Sequence, residues 1–138
     1  MGRTAWHRVV AGVLVRPGGI LMAHRHPDRG WYPDVWDFPG GHVEDGESDE
    51  ECLVRELGEE LGVRAHRPMP TLAHWVIEGA GEDIRFLLVR DWSGEVRNLA
   101  PDEHDELRWV SVEEALELDL ADPAYPDLLR SLPDVLGV

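Results

Sequence analysis

The sequence predicts an α/β sandwich, a mixed β-sheet with helices on its faces, on three observations. Apolar runs bounded by Pro and Gly have strand length. Two helix starts carry Ser followed three residues later by Glu, the capping-box spacing. The predicted elements run strands, helix, strands, helix. With 138 residues, 43% of them apolar and six Trp, the chain has enough material for one core, and a single domain over residues 1–138 is expected.

Taken in order, residues 9–15 are mostly β-branched and apolar, "RPGG" breaks the run, and residues 20–23 resume it, which predicts a hairpin. Residues 26–41, "HPDRGWYPDVWDFPGG", form a loop punctuated by Pro and Gly around a short strand at 36–38, with aromatics on a binding rim. Ser48 and Glu51 box the start of a helix over 49–61, stopped by Gly62. Strands are predicted at 70–77, 84–92 and 107–110, then a second capped helix from Ser111. Pro123, Pro126 and Pro133 in the tail should allow only short helices.

Charge narrows the function. A net charge of -15 argues against unaided binding to a nucleic acid polymer or an anionic membrane, both of which require neutralised phosphates. A polyanionic substrate would need cations as intermediaries. All thirteen basic residues are Arg, so direct phosphate gripping falls to guanidinium. The lone Cys52 has no internal disulfide partner, and the N-terminal apolar run is too short and interrupted for a span or signal peptide, so a cytoplasmic protein is expected.

Residues 40–63, "GGHVEDGESDEECLVRELGEELGV", hold nine Asp and Glu among twenty-four. On a helix over 49–61, Leu53, Val54, Leu57 and Leu61 form an apolar stripe. Glu60 lies beside the stripe, Glu56 next to it and Glu59 further round. A solvated face would give each acid a basic partner one turn away, yet only Arg55, able to serve Glu59 or Glu51, is at hand. Glu56 and Glu60 are left facing each other. Hard cations such as Mg²⁺ or Mn²⁺ take oxygen ligands and would offset that repulsion.

The spacing from Gly41, five residues, Glu47, seven residues, then Arg55-Glu56-Leu57, one residue, Glu59-Glu60, one residue, Gly62-Val63, resembles the Nudix box at all nine constrained positions. "WDFPG" before it is similar to the MutT-like branch of that family. The resemblance implies a Nudix-type α/β/α sandwich and a pyrophosphohydrolase that cleaves a nucleoside diphosphate linked to another group. It implies Mg²⁺, with Mn²⁺ as a substitute, held by Glu56, Glu59 and Glu60 and by the backbone carbonyl of Gly40. Glu47 would assist through water, Arg55 would orient the carboxylates, and Glu56 is the candidate base. Glu103, six residues before Trp109, stands where such proteins often place a further acidic ligand, with Asp102, Asp105 and Glu106 as neighbouring competitors. Arg25 matches a phosphate-gripping position.

Other residues carry plainer readings. His24 and His26 lack a third ligand and read as polar surface. Trp31, Tyr32 and Trp36 would either pack the rim or stack on a nucleobase, with Trp36 taken as substrate-binding. Cys52 reads as a small packing residue. The substrate implied is a small-molecule nucleotide, by default a nucleoside triphosphate. A nucleotide sugar and a nucleotide-sensing module without turnover are the alternatives, the latter disfavoured by an intact box.

Overall fold

The computed structural model of the chain describes residues 7–30, 32–77 and 81–136; Trp31 lies outside them. Nine strands and three helices appear among the described residues: β1 His7–Arg16, β2 Gly19–Arg25, β3 Trp36–Asp37, β4 Gly40–His42, α1 Asp49–Leu61, β5 Arg64–Ala65, β6 Thr71–Ile77, β7 Glu82–Val89, β8 Trp92–Ser93, β9 His104–Val110, α2 Val112–Leu116 and α3 Tyr125–Leu136.

The main sheet runs β3-β2-β1-β7-β6, with β4 on β1 and β9 on β2. It is mixed: β1 and β7 are parallel over eight residue pairs, while the other pairings are antiparallel. Alternation along the strands builds two cores. Ala11, Val13, Met22, Phe86 and Leu88 meet α2 and α3 through Ala115, Leu128, Leu129 and Leu132. Val10, Leu14, Leu21, Leu87 and Val89 meet α1 through Leu53, Leu57 and Leu61. The sandwich is therefore α/β/α, as expected. Among the described residues no helix is long and apolar enough to cross a membrane.

Both capping boxes form: Ser48 Oγ accepts from Glu51 N while Glu51 accepts from Ser48 N, and Ser111 and Glu114 repeat the arrangement. Gly62, at φ 70°, closes α1 in the left-handed region that suits glycine.

Several expectations need correction. β7 ends at Val89, where its register with Leu14 of β1 stops, and Trp92 instead pairs with Ala65 in a separate two-stranded sheet. β9 begins at His104 rather than residue 107, because polar residues 104–106 pair along β2. α3 runs twelve residues despite its prolines. Pro126 sits in the first turn, where no N–H is needed, and buried Leu128, Leu129 and Leu132 outweigh the bond lost at Pro133.

Candidate functional site

α1 presents its acids at graded depth. Glu60 is 5% exposed, the Glu56 side chain 16% and that of Glu59 61%. Beside them runs β4, held to β1 through the pairs Ala11 with Gly40 and Val10 with Gly41. The two glycines are needed for contact. A Cβ on Gly40 would lie 2.1 Å from the Val10 carbonyl oxygen, and one on Gly41 2.3 Å from the Glu56 carboxyl carbon. The Glu56 carboxylate is thus packed against bare backbone.

Arg55 organises the acids differently from the helix-face reading. Its Nε and Nη2 fork onto Glu47 at 2.7 and 3.0 Å, and its Nη1 donates to Glu56 at 2.9 Å. Glu59 stands 3.6 Å away. Glu51 is served by Ser48 N at 2.9 Å instead of by Arg55. The fork holds the Glu47 carboxyl down at about 2. Burial works the other way on the deeper acids, raising Glu56 and pushing Glu60 up to about 7.

The third side comes from the turn before β9. The chain here is strapped to the end of α1, with Arg97 N donating to Leu61 O at 2.9 Å and Leu99 N to Glu60 O at 2.8 Å. These bonds satisfy two carbonyls that a helix end leaves open. They bring Glu103 and His104 onto Glu60, and ligand atoms of the three lie within 4.8 Å of one another. Glu60 Oε2 and His104 Nδ1 are buried without a hydrogen-bond partner among the described residues. Clustered carboxylates, a penalised buried acid and an orphaned oxygen are the donor set that a hard divalent cation fits.

These groups line a cavity of about 540 Å³. Another part of its wall holds Asp37, Tyr125, Asp122, Phe38 and Arg25. Asp37 Oδ1 accepts from Tyr125 Oη at 2.5 Å and from Phe38 N at 2.7 Å. Burial raises both the Asp37 carboxyl and the Tyr125 phenol. Arg25 donates through Nε to Tyr32 O at 2.8 Å and lies 3.8 Å from Asp37.

A NUDIX domain profile matches residues 6–132. The chain belongs to the Nudix family. One relative is the CTP pyrophosphohydrolase of Escherichia coli (strain K12), 40% identical over 124 residues covering 89% of this chain and 88% of that protein. Another is the 8-oxo-dGTP diphosphatase of Proteus vulgaris, 31% identical over 90 residues, 64% of this chain and 80% of that one. The solution structure of the E. coli ORF135 protein superposes with a TM-score of 0.78 at 36% identity, covering 95% of this chain and 91% of that one. The crystal structure of a MutT NUDIX hydrolase from Burkholderia pseudomallei gives 0.75 at 29% identity, covering 91% and 97%. The chain is a Nudix pyrophosphohydrolase of the MutT-like branch.

Within this Nudix domain Glu56, Glu60, Glu103, Gly40 and Arg25 all line the one cavity, whereas Glu47 and Glu59 sit beside it on Arg55. Trp36 does not line it. It is 8% exposed in the core between His24 and the Arg108 guanidinium, so a nucleobase has no face to stack on, which corrects its assignment as substrate-binding. Among the described residues of that loop, Tyr32 on the cavity rim is the exposed aromatic. His24 pairs with Asp105 at 2.6 Å and Asp34 at 3.1 Å, which satisfies it as polar surface. Cys52 is buried, its thiol pushed up to about 12 by burial, and so is no nucleophile.

His104, Asp37, Tyr125 and Asp122 went unsingled in the sequence. His104 carried a signal, since it adjoins Glu103 at the start of a strand, and so did Asp37, which stands in "WDFPG" four residues before Gly41; Asp122 and Tyr125 lie far from the box in sequence and meet it only through the fold.

Proposed function

We propose that the chain, acting as one Nudix domain, hydrolyses nucleoside triphosphates to a monophosphate and pyrophosphate. The observation that carries this reading is the buried Glu60 carboxylate, its Oε2 orphaned among the described residues, beside Glu56 and Glu103 in a cavity that Arg25 also lines. Glu56, Glu59, Glu60, Glu103 and the Gly40 carbonyl would hold Mg²⁺, with Mn²⁺ as substitute. Such cations supply neutralisation of the phosphate charge and acidification of water.

The chain's own residues do the rest. Glu56, fixed by Arg55 and the bare backbone of Gly41, takes the proton as water adds to one phosphorus of the α–β bridge. The bridging oxygen departs with the other phosphate. Glu47 acts through Arg55, fixing by the fork the guanidinium whose Nη1 holds Glu56. Arg25 meets the phosphate chain from the cavity wall, which Arg29 also lines. The Asp37 and Asp122 carboxylates are acceptors suited to amino groups on a nucleobase, which favours a base over a second sugar and agrees with similarity to a CTP pyrophosphohydrolase. A single buried Cys and the strong negative charge suit a cytoplasmic enzyme that binds neither nucleic acid polymers nor membranes.

The test is turnover of purified protein with Mg²⁺ against the common nucleoside triphosphates, damaged nucleotides, nucleotide sugars and dinucleoside polyphosphates. Monophosphate and pyrophosphate from a triphosphate are expected. Preferential cleavage of a nucleotide sugar would replace the reading, and tight binding without turnover would make the chain a sensor.

A further inference from the structure

We propose that His104 is a positioning residue that orients Glu60 for cation binding: its Nε2–H donates to Glu60 Oε1 and leaves Oε2 as the oxygen that takes the ion. This rests on the reading that the carboxylate cluster holds a divalent cation.

The geometry allows one economical arrangement. Nε2 lies 3.4 Å from Glu60 Oε1, and both residues are buried, at 4% and 5% exposure. The other atom of each pair, His104 Nδ1 and Glu60 Oε2, has no hydrogen-bond partner among the described residues. A neutral imidazole carries its proton on one nitrogen. With the proton on Nδ1, a buried donor is orphaned and, once Glu60 is ionised to take a cation, two acceptors face each other across the Nε2 contact. With the proton on Nε2, the contact becomes a hydrogen bond and only a weak acceptor is left over, which costs less. Glu60 then has one oxygen tied and one open. Residues that hydrogen-bond a ligating carboxylate set its orientation in this way.

The backbone keeps the imidazole in place. His104 N donates to Ala100 O at 3.1 Å, Asn98 Nδ2 donates to His104 O at 2.7 Å, and Leu99 N is bonded to Glu60 O. The strand start and the helix end therefore move together.

Three measurements test the proposal. In the wild-type protein, long-range ¹H–¹⁵N correlation should report the Nε2–H tautomer for His104; an Nδ1–H tautomer overturns it. In Mn²⁺ titrations followed by electron paramagnetic resonance, His104→Leu should weaken binding by about 10- to 100-fold. His104→Gln, which keeps an N–H near the Nε2 position, should stay within about threefold of wild type on the same grounds. Turnover of His104→Leu should recover at saturating Mn²⁺, and thermal unfolding in EDTA should show that both variants fold. Unchanged Mn²⁺ affinity in a folded His104→Leu overturns the proposal, as does direct histidine nitrogen coordination in the wild-type spin-echo spectrum. Failure of wild type itself to bind Mn²⁺ overturns the cation reading and the proposal with it.

Discussion

The two ends of α1 carry the same kind of side chain with opposite provision of partners. In the first turn Asp49 meets Arg8 at 2.7 Å and Arg85 at 2.8 Å. Glu50 accepts from Met69 N at 2.8 Å and Glu51 from Ser48 N at 2.9 Å. The helix dipole favours all three there. Towards the other end Glu56 and Glu59 share Arg55, Glu60 meets the His104 imidazole, the last turn has no basic residue, and the dipole is adverse. The acids of the first turn hold the fold together. Those of the second half hold a deficit of positive charge that only a ligand can fill.

The sharpest way to break this contrast is to neutralise one acid at the deficient end. Glu60→Gln should lower turnover at least about a hundredfold, the scale of losing a principal electrostatic contributor. Its thermal stability in EDTA should be unchanged or higher, because a buried charge is gone. Turnover near wild type would make the acids of the second half mere surface. Metal removal probes the same point without mutation: activity should vanish in EDTA and return with Mg²⁺ or Mn²⁺, and full activity in chelator would end the contrast.

A finer comparison lies in the turn before β9 and the first residues of that strand. Asp105 is engaged by His24 at 2.6 Å and Glu106 by Arg108 at 2.7 Å, whereas Glu103 joins Glu60 and His104. Glu103→Gln should therefore cost about tenfold or more in turnover at saturating Mg²⁺ and substrate, the scale seen when groups supporting a metal are lost. Asp102→Asn, Asp105→Asn and Glu106→Gln should each cost far less. Equal small losses in all four would remove Glu103 from the site.

Stability against pH distinguishes the ends thermodynamically. In metal-free protein, burial lifts Glu60 from 4.5 to about 7, so the folded state holds a proton that the unfolded state has released. Stability should then fall as pH rises from about 4.5 to about 7, by at most about 3 kcal/mol for this group. Glu56, also raised by burial, adds to the same trend. Denaturant unfolding in EDTA across that range should show the fall, and Glu60→Gln should remove most of it. A flat profile in the wild-type protein would mean that Glu60 pays no burial penalty.

The smallest effect belongs to the first turn. Asp49→Asn should lose about 1 kcal/mol of stability, from the dipole and two partly exposed ion pairs. Its turnover should stay within about twofold. A large loss of turnover with unchanged urea midpoint would place Asp49 in the site and erase the distinction.

Local rules determined much of this molecule from sequence alone. The bounds of α1, its capping box and its glycine stop depend on neighbours within a turn, so they were legible. So was the gradation of Glu60, Glu56 and Glu59, because helical periodicity ranks depth once the apolar stripe is known. Partner choice was not. Arg55 turns to Glu47, eight residues back, because the loop before α1 folds over it. Trp36 leaves the rim for the core because β3 pairs with β2 and Arg108 covers its ring. The short strands β4, β5 and β8 exist only because a partner strand lies alongside. The meeting of His104 with Glu60, 44 residues apart, needed the backbone strap that joins the end of α1 to the turn before β9. Periodicity sorts side chains by face, but which faces meet is decided by long-range hydrogen bonds and packing, and those are properties of the tertiary structure.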